Sequence, residues 1–296
     1  MRGLQRTDGD GWVDCICGQR HWGRFGAAGL MVVDPDDGVL LQHRASWSHH
    51  GDTWGVPGGA RASTESALAA ALREAHEEAA VSAPAVRPSH AWVEDHGPWS
   101  YTTVVARRVG PLDPHPSDPE SREIRWVAPA QVSALPLLPA FGRLWPQISD
   151  QIGRALVLVV DAANVVGSRP DGWWRDRIGA TARLRDELAV GLTSVPSTAF
   201  GLPATTWWPQ VRLVTEGQAR SVESVEGVDV LAAPASGDDA VVAAVAEALA
   251  GRPDDHVVAV TADRELRSRV LTAGGRAVGP STLWSVLRCP VSRSGR

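Results

Sequence analysis

The sequence predicts an α/β protein with two domains. The chain has 296 residues, which exceeds the usual size of a single domain. Apolar residues make up 44% of it and charged residues 21%, a balance typical of globular proteins. Short apolar segments alternate with helical patterns, and the order of these segments changes near residue 152. We therefore expect a lead at residues 1–24, a first domain at 25–150 and a second at 153–296.

In the first domain, alternating apolar positions predict strands, and two segments have the longer period of a helix. The strands are expected at residues 29–33, 39–42, 91–94, 100–106 and 123–127. The helices are expected at residues 66–79 and 139–152. A proline-rich loop, PLDPHPSDPE, precedes the last strand. The first domain is therefore expected to combine a sheet with a small number of helices.

The second domain begins with ALVLVVDAANVV, a nearly continuous apolar run that suits a strand buried on both faces. Further strands are expected at residues 211–215, 228–232, 256–261 and 276–278, and helices at 174–190, 239–250 and 264–272. Because strands alternate with helices, this domain is predicted to be a parallel sheet with helices on both faces.

The helix expected at residues 66–79 is rich in glutamate. On a helical wheel of about 100° per residue, its apolar side chains form a stripe, and its glutamates form an arc facing away. The stripe contains Leu68, Leu72, Ala75 and Ala79, and the arc contains Glu74, Glu77 and Glu78. Like charges at such spacing destabilise a helix by roughly 0.2–0.5 kcal/mol per pair, and Arg73 cannot neutralise three carboxylates. The arc is therefore either a solvated face or a site for Mg²⁺ or Mn²⁺, cations that carboxylates suit.

The spacing of the residues around this helix favours the metal site. The segment resembles the Nudix box, G-x5-E-x7-R-E-U-x-E-E-x-G-U, in which U is a bulky apolar residue in most members. The matching positions are Gly59, Glu65, Arg73, Glu74, Glu77, Glu78 and Val81. The flanking segments GAAGLMVVD, VLLQHRA, WGVPGG and EIRWVAPAQVSALPLLPAF also resemble Nudix proteins, so the likeness covers roughly residues 25–148.

The Nudix resemblance implies an α/β/α sandwich that hydrolyses a nucleoside diphosphate linked to another group. The positions that it assigns to the metal are Glu74, Glu77, Glu78 and the carbonyl of Gly59. It implies that Arg73 orients a glutamate and that Glu65 supports the loop before the helix. Glu77 and Glu78 are candidates for the catalytic base, although family members differ over which glutamate serves.

The sequence departs from the Nudix pattern at two positions. Ala80 replaces the glycine of the box, and a residue beyond a helix end often adopts a left-handed conformation. There alanine costs on the order of 1 kcal/mol, so the following loop is expected to differ. Ala75 is small for its apolar position, which affects packing and removes no metal ligand.

Cys15, Cys17 and His21 lie close together in CICGQRH, near the start of the chain. Cysteine and histidine suit Zn²⁺, but a structural zinc site needs four ligands. No second cysteine pair follows at a suitable spacing, and His49 or His50 could join only through folding. The segment also does not reproduce the two-knuckle zinc ribbon of the NADH-pyrophosphatase branch of the Nudix family. We therefore expect free thiols here and no zinc cofactor.

Acidic residues of the second domain lie where strands end and helices begin. Asp161 and Asp263 follow strands, and sites in parallel sheets form outside the carboxyl ends of strands. Asp238 and Asp239 begin a helix, where acids also serve as caps, so each residue alone has a structural explanation. Together the segments DAAN, VRLVTEG, GDDAVV and VTADREL resemble, in order and approximate spacing, the NYN branch of the PIN-like nucleases.

The PIN-like resemblance implies RNA cleavage with one or two divalent metal ions, Mg²⁺ or Mn²⁺. It assigns the acids Asp161, Asp238, Asp239 and Asp263, the polar supports Asn164 and Thr261, and Glu216 as a further candidate. Arg175 and Arg177 lie beside Trp173 and Trp174 in DGWWRDR, where arginines could hold phosphates and tryptophans stack on bases. A packed corner with a solvated arginine edge is the alternative interpretation.

These resemblances predict a metal-dependent hydrolase that cleaves a pyrophosphate bond in a nucleoside diphosphate derivative, either a free nucleotide or an RNA 5′ end. A ribonuclease domain would follow it, so nucleotides are the expected substrates and RNA is a further candidate partner. The alternative is a nucleotide-sensing protein of the Nudix fold that regulates an RNA-binding or nuclease module. The complete set of glutamates argues against a sensor, because a protein without turnover has no need of them all.

The composition also bears on the cellular compartment. The first residues, MRGLQRTDGDGW, contain no apolar signal region, and no apolar run reaches membrane-spanning length. The cysteines, Cys15, Cys17 and Cys289, cannot form a disulfide framework. We expect a cytoplasmic protein without membrane contacts. The net charge of −5 does not by itself indicate nucleic-acid binding, and the sequence does not predict an oligomeric state.

Overall fold

The computed structural model describes residues 7–288. The chain forms two compact units, and the boundary between them along the sequence lies between Gly153 and Arg154. Cys289 and the first six residues of the expected lead lie outside the described residues. Within residues 7–288, every helix is too short or too polar to cross a membrane.

The first unit is built on a mixed sheet. Its strands are β1 (Trp12–Asp14), β2 (Arg20–Trp22), β3 (Ala27–Asp34), β4 (Gly38–Arg44), β5 (Trp54–Gly55), β6 (Gly58–Ala60), β7 (Val86–Asp95), β8 (Ser100–Arg108) and β9 (Ser121–Val127). Strands β7, β8, β3, β4 and β5 are neighbours in that order, β6 pairs with β3, and β9 pairs with β4. The β3–β8 pair is parallel, whereas β1 and β2 form a separate antiparallel hairpin.

Three helices accompany this sheet, α1 (Ala67–Ala79), α2 (Pro129–Val132) and α3 (Pro139–Ser149). The hydroxyl of Ser66 accepts a hydrogen bond from the Ala69 amide at 3.1 Å and so begins α1. Phe141, Trp145 and Ile148 of α3 pack with Met31 and other apolar residues of the sheet. Helix α1 packs on β3 and β6, which brings its glutamates beside the Gly58–Gly59 pair.

Helix α1 turns a different face toward the sheet than the helical wheel predicts. Its buried residues are Ala70, Ala71, Ala75, Glu78 and Ala79, whereas Leu68 and Leu72 are only half-buried. The expectation that all three glutamates face away from the core is therefore wrong for Glu78, which is 5% exposed. Alanine side chains allow close approach of helix and sheet, so the face with most alanines is buried and carries Glu78 with it.

The second unit is built on a five-stranded sheet with helices. Its strands are β10 (Leu156–Asp161), β11 (Val195–Pro196), β12 (Thr206–Trp207), β13 (Gln210–Thr215), β14 (Val228–Ala232), β15 (His256–Val260) and β16 (Arg276–Val278). Its helices are α4 (Ala162–Gly167), α5 (Arg177–Gly191), α6 (Gly237–Gly251), α7 (Arg264–Thr272) and α8 (Pro280–Arg288). The order in the sheet is β14-β13-β10-β15-β16, and every pair is parallel. The two short strands β11 and β12 pair with each other outside that sheet. The predicted parallel sheet is confirmed.

Strand β10 is buried on both faces, as its continuous apolar sequence predicts. Leu156, Leu158 and Val160 pack in one core together with residues of α5 and α8. Val157 and Val159 pack in another core with residues of α6 and α7. Because successive side chains of a strand point to opposite faces, helices cover both faces of this sheet.

The sequence analysis missed the shortest elements and one helix start. The hairpin β1–β2, strands β5, β6, β11 and β12, and helices α2, α4 and α8 were not expected. All of these except α8 have two to six residues, which is too short to show a period, and the nine-residue helix α8 was simply not recognised. The helix expected from residue 174 begins at Arg177, because Asp176 accepts a hydrogen bond from the Gly179 amide at 2.8 Å and caps it. Trp173–Arg175 form a separate 3-10 turn before it.

Candidate active site

Arg73 of α1 is the centre of a hydrogen-bond network that includes several of the candidate site residues. Its Nε and Nη2 donate to the two carboxylate oxygens of Glu65 at 2.7 and 3.0 Å. Its Nη1 donates to Glu74 at 2.7 Å and to Glu77 at 3.1 Å. Its Nη2 also donates to the Ala60 carbonyl at 2.9 Å. The guanidinium thus ties the loop after β6 to two glutamates of α1, which fits the orienting role that the sequence suggests.

Glu78 is the buried member of the glutamate set. One of its oxygens accepts a hydrogen bond from the Gly58 amide at 2.9 Å. Burial raises the pKa of Glu78 well above its ordinary value, and the charges of Glu74 and Asp118 raise it further. Burial likewise raises the pKa of Glu74 to about 7. The surroundings of both carboxyl groups thus disfavour the charged carboxylate. A divalent cation bound there would favour the charged form instead.

The Gly58–Gly59 pair leaves space that any other residue would fill. A Cβ on Gly59 would lie 2.6–2.7 Å from the carboxylate atoms of Glu74. A Cβ on Gly58 would lie 2.6 Å from the Ala28 carbonyl oxygen. Glycine therefore allows the Glu74 carboxylate to sit directly against the backbone of β6. Carboxylate oxygens suit a hard cation such as Mg²⁺ or Mn²⁺, although within residues 7–288 Glu74, Glu77 and Glu78 do not bring three oxygens within 4.8 Å of one another.

The proline-rich loop before β9 folds onto the end of α1. The Ser117 amide donates to the Glu78 carbonyl at 3.2 Å, and its hydroxyl donates to the Glu77 carbonyl at 2.7 Å. The His115 amide donates to the Ala79 carbonyl at 3.3 Å. These bonds satisfy carbonyls that a helix end leaves without partners. They also place Asp118 near Glu78, an acidic neighbour that no motif in the sequence indicated.

Ala80 adopts the left-handed conformation that the Nudix box usually gives to glycine. Its φ and ψ are 56° and 27°, and its amide donates to carbonyls in the last turn of α1. The helix therefore still ends in a left-handed turn, and a difference in the loop that follows stays a prediction. Alanine therefore occupies a conformation that disfavours a Cβ.

In the second unit, Asp161 lies at the end of β10, where two polar side chains hold it. Its carboxylate accepts hydrogen bonds from Asn164 Nδ2 at 2.7 Å and from Thr261 Oγ1 at 2.9 Å. It also caps α4 through the Asn164 amide at 3.1 Å. Asp161 is 7% exposed, and this burial raises its pKa. Asp263 caps α7, and its amide donates to the same Thr261 hydroxyl at 3.2 Å.

Asp238 faces the other acids of this sheet edge, whereas Asp239 does not. Burial raises the pKa of Asp238, and the charges of Asp161, Asp263 and Glu216 raise it further. Asp239 is exposed and accepts a hydrogen bond from Arg269. Within residues 7–288, no three acids of this edge bring their carboxylate oxygens within 4.8 Å of one another. The edge is therefore acidic but open.

The arginines proposed to bind substrate lie on the surface beside the tryptophans. Arg175 and Arg177 are exposed, and the guanidinium carbon of Arg177 lies 5.4 Å from the centroid of the Trp173 ring. The Trp173 and Trp174 rings meet edge to face at 6.1 Å. Arg177 stacked on Trp173 is compatible with either interpretation of this segment, so substrate binding here stays a prediction.

The cysteine segment near the start has a partner that the sequence analysis did not identify. Cys15, Cys17, His21 and His96 bring one potential ligand atom each within 4.8 Å of the others. His96 lies 81 residues after Cys15, in the turn between β7 and β8. Neither His49 nor His50 joins this group. Zinc was not expected because the sequence showed no fourth ligand. His96 supplies a potential fourth ligand, so that argument against zinc no longer holds.

Comparison with known proteins places the first unit in a family. A NUDIX domain model matches residues 23–147. A curated relative from Bifidobacterium longum, named nucleoside triphosphate pyrophosphatase/Nudix hydrolase fusion protein, is 45% identical over 152 residues, which cover 49% of this chain and 32% of the relative. The matched part is thus about a third of that relative's length.

Another relative is matched over most of its own length. A Mycobacterium tuberculosis protein named putative 8-oxo-dGTP diphosphatase 3 is 50% identical over 153 residues, covering 48% of this chain and 70% of the relative. The crystal structure of a Nudix hydrolase from M. smegmatis, RenU, is 46% identical, covers 47% of this chain and 92% of that one, and has a TM-score of 0.43. The NYN/PIN-like identity of the second unit stays a prediction. Through its first unit, the chain belongs to the Nudix hydrolase family.

Proposed function

We propose that the first unit is a metal-dependent hydrolase that cleaves the pyrophosphate bond of a free nucleotide. The observation that supports this most directly is the Arg73 network, which holds Glu74 and Glu77 on the same helix that carries the buried Glu78. A helix face with only a structural role needs no buried carboxyl group such as that of Glu78. It also needs no glycine such as Gly59 to leave room for the carboxylate of Glu74. A cation site explains both features.

Glu74, Glu77 and Glu78 are the residues that would hold Mg²⁺ or Mn²⁺, with Gly59 beside them. A divalent cation at this place supplies charge neutralisation to pyrophosphate oxygens and makes water more acidic. Glu65 fixes the guanidinium of Arg73, and Arg73 in turn fixes the carboxylates of Glu74 and Glu77. These bonds support positioning roles for Arg73 and Glu65 rather than roles in proton transfer.

Glu77 and Glu78 have different surroundings and hence different tasks. The Glu77 side chain is 43% exposed, so its carboxylate faces solvent and an arriving substrate. Glu78 is enclosed and held by the Gly58 amide, which fixes its carboxylate for cation binding. A carboxylate near the attacking water can accept its proton, and the more accessible Glu77 suits that role better.

The name of the M. tuberculosis relative supports an oxidised purine nucleoside triphosphate as the substrate. The experiment is to measure Mg²⁺- and Mn²⁺-dependent hydrolysis of a substrate panel by the full chain. The panel contains 8-oxo-dGTP, ordinary nucleoside triphosphates, nucleotide sugars, dinucleoside polyphosphates and 5′-triphosphorylated RNA. The Glu77→Gln/Glu78→Gln protein serves as the control. We expect 8-oxo-dGTP to be hydrolysed fastest and the double variant to be inactive.

Other outcomes of this panel have defined meanings. If the 5′-triphosphorylated RNA were hydrolysed faster than the free nucleotides, the substrate would be an RNA 5′ end rather than a free nucleotide. Binding of a panel member without turnover would overturn the enzyme proposal in favour of a nucleotide sensor. Equal activity of the double variant would remove the glutamates from the chemistry.

We further propose that the acidic edge of the second unit binds divalent metal and cleaves RNA. Asp161 and Asp263 lie at the carboxyl ends of parallel strands, the place where sites form in such sheets, and Asp238 lies in the first turn of α6. The observation that favours this is the position of Asp161 and Asp263 after the neighbouring strands β10 and β15, where the Thr261 hydroxyl bonds to the Asp161 carboxylate and to the Asp263 amide. Carboxylates grouped at such an edge suit cation binding.

A further inference from the structure

We propose that Cys15, Cys17, His21 and His96 bind one Zn²⁺ ion that joins the β1–β2 hairpin to the turn between β7 and β8. This site lies apart from the glutamates of α1 in sequence, and its ligand chemistry differs from theirs. Thiolate and imidazole ligands suit zinc, and two thiolates balance the charge of one Zn²⁺ ion.

The distances between the potential ligand atoms fit a tetrahedral ion. Zn–S bonds of about 2.3 Å and Zn–N bonds of about 2.0–2.1 Å place tetrahedral S and N ligands roughly 3.5 Å apart. Cys15 Sγ lies 3.6 Å from His96 Nδ1, and Cys17 Sγ lies 3.2 Å from His21 Nε2. All four atoms lie within 4.8 Å of one another, so an ion at their centre requires only small side-chain adjustments.

The backbone of the hairpin prepares the two cysteines for a shared ion. The Cys15 amide donates to the Gln19 carbonyl at 3.0 Å, and the Gly18 amide donates back to the Cys15 carbonyl at 3.0 Å. Gly18 has a φ of 82°, which closes the turn and favours glycine. The turn between β1 and β2 therefore contains both cysteines, and His21 of β2 lies next to Cys17.

Groups outside the four ligands fix the two imidazole rings. Nε2 of His96 lies 3.2 Å from the Glu94 carboxylate, which leaves Nδ1 to face the thiols. A carboxylate on the second nitrogen is the usual support of a zinc-binding histidine. The ring of Trp99 stacks on His21 at 4.0 Å between centroids, and its indole nitrogen donates to the Trp22 carbonyl at 3.1 Å.

The β1–β2 hairpin is short, so a bound zinc ion would stabilise its structure. Each of its strands has three residues, and an isolated two-stranded hairpin is marginal in water. Ile16 in its turn is 85% exposed, so apolar burial contributes little at this place. Zinc would supply the link that packing does not. The residues before the hairpin contact the loop that precedes α1, where Asp8 accepts a hydrogen bond from the Ser63 amide at 3.0 Å.

The test is to measure the zinc content of the full chain, purified with Zn²⁺ and without chelator, by elemental analysis. We expect about one tightly held Zn²⁺ per chain. Replacement by Co²⁺ should give the thiolate-to-cobalt charge-transfer absorption and the visible bands of a tetrahedral ion. Cys17→Ser and His96→Asn should each lower zinc content at least about tenfold. Removal of zinc should lower the unfolding midpoint of the wild-type chain and leave that of His96→Asn unchanged.

Three matched controls separate this site from other zinc binding. His49→Asn and His50→Asn change histidines that are not in the group, and should keep the zinc. The Glu77→Gln/Glu78→Gln protein should keep it as well, which excludes adventitious zinc on the glutamates. A wild-type chain that takes up neither zinc nor cobalt would overturn the proposal. So would a cobalt spectrum that Cys17→Ser leaves unchanged.

Discussion

The guanidinium of Arg73 binds the carboxylate of Glu65 through two parallel hydrogen bonds, at 2.7 and 3.0 Å. Such paired bonds between charged groups are stronger and more directional than single neutral ones. They hold Arg73 in the one orientation in which its remaining nitrogen reaches Glu74 and Glu77. The loop residue Glu65 thereby controls the position of two candidate metal ligands that it does not touch.

Replacing Glu65 should therefore reduce hydrolysis without removing a ligand. In Glu65→Gln the amide keeps one acceptor and loses the charge, so Arg73 and its glutamates become less fixed. We expect kcat to fall about 10–100-fold, as for other groups that orient metal ligands, with a smaller change in KM. Steady-state kinetics at saturating Mg²⁺ checks this. Arg122→Gln, which alters an exposed ion pair with Asp52, is the control and should retain wild-type kinetics.

The same pair gives a pH dependence of stability. The hydrogen bond from Arg73 lowers the pKa of Glu65 below its ordinary value of 4.5. A carboxyl group with a lowered pKa in the folded state stabilises the fold above its ordinary pKa, and loses this effect as pH falls through the folded value. Wild-type protein should thus exceed Glu65→Gln in unfolding free energy at neutral pH, and the difference should shrink below about pH 4.5. Urea unfolding of both proteins across this range is the measurement, and a difference independent of pH would refute it.

Gly59 should not tolerate a side chain. The Cβ of Gly59→Ala would lie 2.6 Å from the Glu74 carboxyl group, and the flexible glutamate would move rather than the backbone. We expect folding to persist and the Mg²⁺ concentration for half-maximal rate to rise roughly tenfold or more. Gly251→Ala places its Cβ in open space and is the matched control. Equal Mg²⁺ dependence of both variants would argue against Glu74 as a ligand.

Ala80 offers a stabilising substitution. Because its φ is 56°, Ala80→Gly should relieve strain and raise the free energy of unfolding by about 1 kcal/mol. Ala69→Gly, at an exposed position inside α1, should lower the free energy of unfolding by about 1 kcal/mol. Opposite signs for the same chemical change identify backbone conformation as the cause. A loss of stability in Ala80→Gly would contradict the left-handed turn.

The two adjacent aspartates of α6 should respond differently to substitution. Asp238 faces the acids at the sheet edge, whereas Asp239 pairs with Arg269. If this edge binds metal, Asp238→Asn should abolish Mn²⁺-dependent RNA cleavage, and Asp239→Asn should retain most of it. Nucleotide hydrolysis by the first unit should be unchanged in both, so it reports that the protein is folded. Loss of cleavage in Asp239→Asn alone would reverse the assignment.

Local sequence patterns predicted the long elements of both units. Strand β10 has an uninterrupted apolar sequence, and α7 has the bounds that were expected from residues 264–272. Such elements are long or strongly apolar, so their period and composition are visible without tertiary information. The hairpin β1–β2 has strands of three residues, and no period can be detected over that length.

Burial within α1 could not be deduced from apolar side chains alone. Leucine marks the buried face of most helices, but here Leu68 and Leu72 are half-buried at its edge. The alanines at 70, 71, 75 and 79 are the contact surface, and Glu78 lies among them. A carboxyl group buried in this way is a sign of function rather than of packing.

His96 shows a second limit of sequence reasoning. A zinc site of cysteine and histidine is recognised by close spacing, and three of its residues satisfy this near residue 15. The fourth comes from a turn that only the pairing of β7 with β8 brings near. Sequence distance hides such a ligand unless the topology is known.

The most direct test of the central claim is the rate of 8-oxo-dGTP hydrolysis by the full chain as Mg²⁺ is varied, for wild type and Glu78→Gln. The account predicts no turnover without a divalent cation, and a fall of at least roughly 100-fold in the variant at saturating Mg²⁺. A wild-type rate that persists in chelator, or a Glu78→Gln rate equal to wild type, would contradict a cation site at the glutamates of α1.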